Sequence, residues 1–287
     1  MATSLSSSKV IVITGSSSGI GQELALIYSR RPNVNLVLAS RNTEKLNALA
    51  TKILELNPNC KCLVVSYDAS KEQDCKFLIE TVIKEFGRLD LLLLCAGVSY
   101  HNQFKDTKDL NVYREMMDIN YFGYMYTTFY ALPFMIKQHE KENGVKPQIG
   151  VISSVSGELG LPLRAGYCAS KFAVNGFFQA LRLEVDKHID ITLILPTSVN
   201  TPMRENSLGK DEIKNVHFNE DESKRMSINV CCEIITKSID CRKKKVVFPF
   251  SNYLATVLQP VFPTFIENIL KKKAGGNATN NHPKAKL

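Results

Sequence analysis

Three side chains suited to acid–base chemistry lie close together between residues 150 and 171. Ser154 ends an apolar, β-branched run, Tyr167 follows thirteen positions later, and Lys171 lies four positions beyond the tyrosine. Residues four apart share one face of a helix, so the phenol and the ammonium should point the same way. An ammonium beside a phenol favours the phenolate, which predicts a Tyr167 pKa lowered towards the working range of a general acid or base.

Ser154 completes a set of groups suited to chemistry on an oxygen atom. A strand end would bring its hydroxyl to the same substrate oxygen that Tyr167 protonates, and this arrangement favours reduction of a ketone or oxidation of an alcohol. A tyrosine and a lysine four residues apart also occur by chance on solvated helix faces. That alternative is less favoured here because a dinucleotide-binding pattern precedes the three residues in the chain.

Apolar runs alternate with amphipathic segments in the order that positions such a site. The predicted strands are 9–14, 34–40, 61–70, 89–97, 149–154, 191–196 and 246–250, and the predicted helices are 22–30, 43–56, 70–86, 108–137 and the segment from Tyr167 onward. A polar surface loop is expected at 139–148. This alternation predicts an α/β fold, a Rossmann-type doubly wound parallel sheet in a single domain.

The first predicted strand leads into a glycine-rich turn with Gly15, Gly19 and Gly21. Glycines allow a tight turn and a close backbone approach, and the helix that follows presents free N–H groups to a pyrophosphate. The second strand ends at Ser40 and Arg41, where an acidic residue would hold the ribose 2′-hydroxyl of NAD. A basic residue at this position instead favours the 2′-phosphate of NADP(H), with a merely exposed arginine as the alternative.

These motifs together resemble the short-chain dehydrogenase/reductase family over roughly residues 8–203. The segment from Ser154 to Val185 is most similar to the branch of corticosteroid 11-beta-dehydrogenase-like and related dehydrogenase/reductase members, and it is also similar to 3-ketosphinganine reductases. Members of that branch usually carry an N-terminal membrane anchor, and this chain shows none. Two departures from the family pattern are Leu94-Cys95, where asparagines are frequent, and Thr197, where a glycine is usual.

The resemblance implies a role for each residue of the site. Asn120 would link through water to Lys171 and complete a proton path, unless it is an ordinary buried amide. Asp68 would touch the adenine, unless it is a turn residue or a helix cap. The implied catalytic residues are Ser154, Tyr167, Lys171 and Asn120, with Ser154 and Tyr167 also binding substrate and no metal. The implied NADP(H)-binding residues are Gly15, Ser17, Gly19, Ile20, Gly21, Arg41, Asp68, Ala96, Gly97, Asn120, Tyr167, Lys171, Pro196, Val199 and Thr201.

The resemblance implies a small hydrophobic carbonyl or alcohol substrate (steroid, sphingoid or fatty). The apolar residues Leu159, Leu161, Leu163 and Tyr100 would flank the cleft, which is consistent with such a substrate. Residues 204–229, polar and charged, are predicted to form a lid over it. A second hypothesis is a non-catalytic NADP(H) sensor or scaffold that kept the fold and lost the chemistry. A third is a peroxisomal reductase of acyl-CoA-linked substrates.

The charge of the chain concentrates in its last part. The net charge of +8 comes from residues 241–287, whereas residues 1–240 are neutral overall. This distribution indicates that the basic C-terminal part contacts an anionic surface or carries a targeting signal. It does not favour nucleic acid as a ligand of the active site. We expect a catalytic domain over 8–255 and a basic extension over 256–287, disordered in its last part. Residues 251–273 would contact a membrane periphery, the cleft or a partner subunit.

Location and assembly follow from similar patterns. The eight cysteines are dispersed and no apolar leader or spanning run occurs, so an intracellular protein with reduced thiols is expected, not a secreted one. The terminal Ala-Lys-Leu is similar to the peroxisomal address Ser-Lys-Leu, which leaves the cytoplasm and the peroxisome as alternatives. The resemblance implies a homodimer or homotetramer.

Overall fold

The computed structural model describes residues 8–142, 144–209 and 225–273. Its strands form one parallel sheet, as the alternating pattern predicts. The strand order is β3-β2-β1-β4-β5-β6-β7. The strands are β1 (Lys9–Thr14), β2 (Val34–Ser40), β3 (Cys62–Ser66), β4 (Leu91–Leu94), β5 (Gln148–Ile152), β6 (Asp190–Pro196) and β7 (Lys245–Phe248). The order reverses between β1 and β4, and the carboxyl ends of these two strands therefore open a crevice that can bind a ligand.

Helices cover both faces of this sheet. They are α1 (Gly19–Ser29), α2 (Thr43–Leu56), α3 (Glu72–Phe86), α4 (Asn111–Met117), α5 (Gly123–Glu142), α6 (Ala165–Glu184), α7 (Ile228–Asp240), α8 (Phe250–Leu258) and α9 (Pro263–Lys273). Alternate residues of β1 point to opposite faces: Val10 and Val12 join the core under α3, α5 and α6, whereas Ile11 and Ile13 join the core under α1, α2 and α7. A strand buried on both sides explains why KVIVIT is apolar throughout.

Three segments differ from the sequence expectation. The helix predicted over 108–137 is divided by a π-helical turn at Asp118–Phe122, and it continues to Glu142, so much of the loop expected at 139–148 is helical. The stretch 251–273 forms two helices, because Pro263 begins α9 and does not interrupt it. Helix α8 crosses residue 255, the predicted domain boundary, which stays a prediction.

Two predicted features lie wholly or largely outside the described residues. Most of the lid expected over 204–229 falls in 210–224, and the Ala-Lys-Leu terminus falls in 274–287. None of the described helices has the length and apolar character needed to cross a bilayer. The eight cysteines are all free thiols, and most of them are buried.

Candidate active site

One cavity of about 630 Å³ lies along the carboxyl ends of the strands. Its volume is within the range of sites for small molecules and cofactors. Every predicted site residue except Asn120 lines it: Gly15, Ser17, Gly19, Ile20, Gly21, Arg41, Asp68, Ala96, Gly97, Ser154, Tyr167, Lys171, Pro196, Val199 and Thr201. The fold therefore brings together residues that are up to 186 positions apart in the chain.

The glycine turn lies against the end of β4 with no room for a side chain. A Cβ at Gly15 would lie 2.7 Å from the Ala96 Cα, and one at Gly21 would lie 2.5 Å from the Gly15 carbonyl oxygen. Gly15 also has a φ of 66°, which favours glycine. The turn thus brings bare backbone to the cavity at the N-terminus of α1, the arrangement that accepts a pyrophosphate.

The Thr14 side chain holds the end of β4, where the family asparagines are replaced by Leu94 and Cys95. The Thr14 hydroxyl of β1 accepts hydrogen bonds from the backbone N–H groups of Cys95 (3.0 Å) and Ala96 (3.3 Å). Cys95 is half-buried and lines the cavity, and desolvation raises the pKa of its thiol, which favours the protonated form over a reactive thiolate. Sequence reasoning missed Thr14, whose only signal is a polar residue at the end of an apolar strand.

Asn120 lies in the π-helical turn and is fully buried beside this strand end. Its Oδ1 atom accepts from the Val98 N–H (2.8 Å), and its Nδ2 atom donates to the Val98 carbonyl (2.9 Å) and to the Ser170 hydroxyl (3.0 Å). The amide therefore joins the segment after β4 to α6. These contacts show a positioning role, and the proton relay stays a prediction.

The end of the cavity at β2 and β3 carries two cations and one acid. Arg41 and Lys45 are exposed and line the cavity, with Lys45 in the first turn of α2. Sequence reasoning missed Lys45, although its spacing of four from Arg41 was a usable signal. Asp68 lines the cavity while its Oδ1 atom accepts from the Ser70 N–H (3.1 Å) and hydroxyl (2.8 Å), as a turn residue does. The residue at the N-cap of α3 is Lys71, not Asp68.

Lys171 is buried, with 3% of its surface exposed. Its Nζ atom donates to the Ile152 carbonyl (3.0 Å) and lies 5.1 Å from the centre of the Tyr124 ring. Burial lowers the Lys171 pKa to about 8 because the charged ammonium is poorly solvated there. The predicted shared face with Tyr167 is confirmed, since the ammonium lies 5.9 Å from the centre of that ring.

The electrostatics of Tyr167 differ from the sequence expectation. Burial raises the pKa of the Tyr167 phenol, while the Arg164 guanidinium and the Ser154 hydroxyl oppose that rise. The prediction that Lys171 lowers the Tyr167 pKa is wrong. Desolvation raises this pKa by more than the nearby charges lower it, and the main charge that opposes the rise is Arg164, not Lys171. Arg164 was missed, although it precedes Tyr167 by three residues, which is close to one helical turn.

Ser154 lies where the chain leaves β5. Its backbone is extended, and its Oγ atom accepts from the Ser156 N–H (3.1 Å), which fixes the hydroxyl beside the phenol. Across the cavity, the segment after β6 carries Val199, whose carbonyl accepts from Arg225 (2.5 Å). The backbone of this segment, uncertain from sequence because of Thr197, is thus held by an arginine that no local pattern indicated.

The expected apolar wall is only partly correct. Leu159 and Leu161 line the cavity, together with Leu270 of α9. Tyr100 does not line it: the side chain is buried, and its hydroxyl accepts from the Asn102 amide (3.1 Å). Leu163 does not line it either, and its carbonyl accepts from the Asn102 N–H.

Residues 9–212 match the family model described as short chain dehydrogenase, so the chain belongs to the short-chain dehydrogenase family. An 11-beta-hydroxysteroid dehydrogenase of Pinus massoniana is 38% identical over 195 residues, which are 68% of this chain and 52% of that protein. Dehydrogenase/reductase SDR family member 7 of Homo sapiens is 35% identical over 273 residues, 92% and 78% of the two chains. The chain spans about half the length of the two plant relatives from Pinus massoniana and Sesamum indicum.

Solved structures show the same fold. A short chain dehydrogenase/reductase from Burkholderia phymatum in complex with NAD has a TM-score of 0.73 at 20% identity and covers 98% of both chains. An alcohol dehydrogenase from Thermococcus sibiricus, complexed with 5-hydroxy-NADP, has a TM-score of 0.71 at 19% identity and covers 84% of this chain and 95% of its own. At these identities the likeness concerns the fold alone.

Burial of the Lys171 ammonium predicts a distinctive dependence of stability on pH. The folded protein releases this proton near pH 8, whereas the unfolded chain keeps it up to the ordinary pKa of 10.5. The unfolded state binds more protons between these values, so stability rises with pH there and is lost as pH falls through 8. The free energy of unfolding of wild type minus that of Lys171→Met should therefore increase by about 3 kcal/mol between pH 7 and pH 10.5.

Urea unfolding at several pH values measures this difference. The same substitution at the exposed Lys52 of α2 is the control and should show a flat difference. If the difference for Lys171→Met is also independent of pH, the lowered pKa is contradicted, because Lys171 would then have the same pKa in the folded and the unfolded protein.

Proposed function

We propose that the protein is an NADP(H)-dependent oxidoreductase that reduces a ketone or aldehyde, or oxidises a secondary alcohol, of a hydrophobic substrate. The observation that carries the proposal is that Ser154, Tyr167 and Lys171 line the same cavity as the glycine turn. The names of the plant and human relatives, which refer to hydroxysteroid dehydrogenase and dehydrogenase/reductase activities, support the reaction class.

The fit of the cofactor rests on the cradle formed by Gly15 and Gly21, which a Cβ atom would fill. When bound, NADPH supplies a hydride to the carbonyl carbon. Tyr167 then gives its proton to the oxygen that gains negative charge, and Ser154 hydrogen-bonds the same oxygen. Lys171 would hold the ribose hydroxyls from its buried position. Asn120 keeps the end of β4 in place and is proposed to return the proton through water.

The preference for NADP(H) rests on charge at the end of β2. Ser40 donates a hydrogen bond to Ser17 (2.8 Å), and the positions that would carry an acid for NAD carry Ser40 and the exposed Arg41 instead. Lys45 adds a second cation at the same rim of the cavity. An acid at this place would repel a 2′-phosphate, whereas these two cations attract it.

The Tyr167→Phe variant separates an enzyme from a sensor or scaffold. Removing the proton donor should lower kcat by about 10²- to 10⁴-fold, while the variant still binds NADPH. The measurement is NADPH oxidation over steroid, sphingoid and fatty carbonyl panels, with NADPH affinity followed by fluorescence. Tyr130→Phe on α5 is the matched control and should retain activity. A wild-type protein that binds NADPH and turns over none of these panels would favour the sensor.

The Arg41→Ala variant tests the cofactor preference. Loss of a charge-assisted contact to the 2′-phosphate should weaken NADPH binding about 10- to 100-fold and leave NADH binding unchanged. Titration of both cofactors against the wild type and the variant measures the effect. Equal losses for both cofactors would contradict a role for Arg41 in reading the phosphate.

We also propose that α8 and α9 rest on an anionic membrane surface. The two helices and their connection expose large apolar side chains: Phe250, Tyr253, Leu254, Val257, Val261, Phe262 and Phe265. Lys271 and Lys272 are exposed at the end of α9, and each basic residue at such a surface contributes about 1 kcal/mol. Co-sedimentation with anionic vesicles, lost when Phe262 and Phe265 become serine, tests this contact; binding that survives the double change would contradict it.

Assembly and location stay proposals. Phe129 of α5 and Phe172 and Leu183 of α6 are exposed apolar side chains, and we propose that they contact another copy of the chain in a homodimer or homotetramer. The choice between a cytoplasmic and a peroxisomal location depends on whether the Ala-Lys-Leu terminus is used. The proposal of acyl-CoA-linked substrates depends on the same signal. Deleting those three residues should move a peroxisomal protein to the cytosol.

A further inference from the structure

A second cavity, of about 390 Å³, lies between helix α9 and the turn that follows Ser154. Three of its lining residues, Leu161, Pro162 and Leu270, also line the cavity of about 630 Å³, which is called the first cavity below. The two cavities therefore share a wall. A ligand that reaches this wall in the first cavity is one side chain away from the second.

The second cavity begins beside the first turn of α6. Tyr167 lines the first cavity, and the next residue, Cys168, lines the second. Consecutive Cα atoms are about 3.8 Å apart, and consecutive side chains leave a helix about 100° apart. The Cys168 thiol accepts a hydrogen bond from the Leu161 N–H (3.4 Å), which holds the shared wall against this turn. A molecule that occupies both cavities must therefore bend around the start of α6.

The lining of the second cavity suits hydrocarbon. Its small and apolar lining residues are Gly160, Leu161, Pro162, Ala165, Cys168 and Leu270. Glu267 and Lys271 also line it, from exposed positions of α9 where their charged ends can stay in water. At about 30 Å³ for a water-sized group, the cavity has room for on the order of ten methylene groups.

We propose that the substrate is a carbonyl compound with a long, flexible alkyl chain, and that the second cavity binds the distal part of this chain. The carbonyl lies at the reacting end of the first cavity, beside Ser154 and Tyr167, and the chain passes Leu161 and Leu270. The first cavity must also hold the cofactor, so a long chain needs the space beyond the shared wall. The bend at α6 favours a flexible chain over a rigid ring system. This inference rests on the proposed oxidoreductase function and narrows its substrate class.

Two glycines with similar surroundings provide a test position and its control. Gly160 lines the second cavity, whereas Gly176 of α6 lines neither cavity. A Cβ at either position would have no atom within 4 Å, and neither residue has a positive φ, so both sites have space for a side chain. Gly160→Leu should narrow the second cavity, and Gly176→Leu is the matched control. Ala165→Leu narrows the cavity from the α6 side, with the exposed Ala169→Leu, one turn later, as its control.

The kinetic measurement is the reduction of straight-chain methyl ketones of increasing length with NADPH. In the wild type, kcat/KM should rise about two- to fourfold for each added methylene group until both cavities are filled. Gly160→Leu and Ala165→Leu should each lower kcat/KM for the long ketones about 10- to 100-fold, mainly through KM, and should leave the shortest ketones unchanged. Both controls should behave as wild type.

Three results would overturn the inference. The first is a wild-type kcat/KM that does not depend on chain length. The second is a pair of cavity variants that behave as their controls, and the third is a loss that is equal for short and long ketones. If one cavity variant does not fold, the other one decides.

A binding measurement separates this inference from the proposed function. Calorimetry with the protein and NADPH compares short and long saturated methyl esters, which have no reducible ketone or aldehyde. Tighter binding of the long ester that Gly160→Leu weakens and Gly176→Leu does not supports the chain site even if no ketone is turned over. Equal binding of short and long esters, or equal effects of the two variants, overturns the site even if the protein proves to be a reductase.

Discussion

The buried ammonium of Lys171 is the constraint on which the reacting end of the cavity depends. Its hydrogen bond to the Ile152 carbonyl ties α6 to the end of β5, and those two elements deliver Tyr167 and Ser154. A charge in this position is unfavourable for folding, as its lowered pKa shows. The fold keeps it beside the electron-rich face of Tyr124, which partly compensates for lost water. Burying this ammonium therefore lowers the stability of the fold, and in return the Lys171 Nζ atom is held in a fixed position.

The phenol itself depends on a balance of opposing effects. Burial disfavours the phenolate, whereas Arg164 and Ser154 favour it, and burial is the largest effect within the chain. A buried phenol retains its proton and is therefore suited to donate it to an oxygen that is gaining charge. Arg164 also lines the cavity, so the pKa of Tyr167 depends on a residue of the cavity wall.

Local patterns were sufficient for much of the fold. The bounds of β2 and α2 agree with the sequence prediction to the residue, because apolar spacing is a local signal. The sign of the Tyr167 shift could not be obtained in this way, since desolvation depends on every element packed around the ring. The contact of Arg225 could not be predicted for the same reason. Arg225 binds the Val199 carbonyl across 26 positions of the chain, and no repeat or spacing connects the two residues.

Asn120 illustrates a second kind of limit. The sequence identified Asn120 as a candidate site residue on a helix. It did not predict the π-helical turn around this residue, because such a turn leaves no mark in the hydrophobic spacing. The turn lets a helix side chain reach the backbone at Val98 on both its donor and its acceptor side. Side chains at such turns have pairing partners that helix geometry alone would not suggest.

The inner and outer surfaces of the C-terminal helices have different uses. Leu270 of α9 and Asn252 of α8 line the cavity, while Phe262 and Phe265 stand exposed on the same hairpin. A helix with its side chains is about 10 Å across. A molecule that rests against the exposed aromatic residues is therefore separated from the cavity by a single layer of protein. If α8 and α9 contact a membrane as proposed, an apolar substrate would have a short path from the lipid to the cavity.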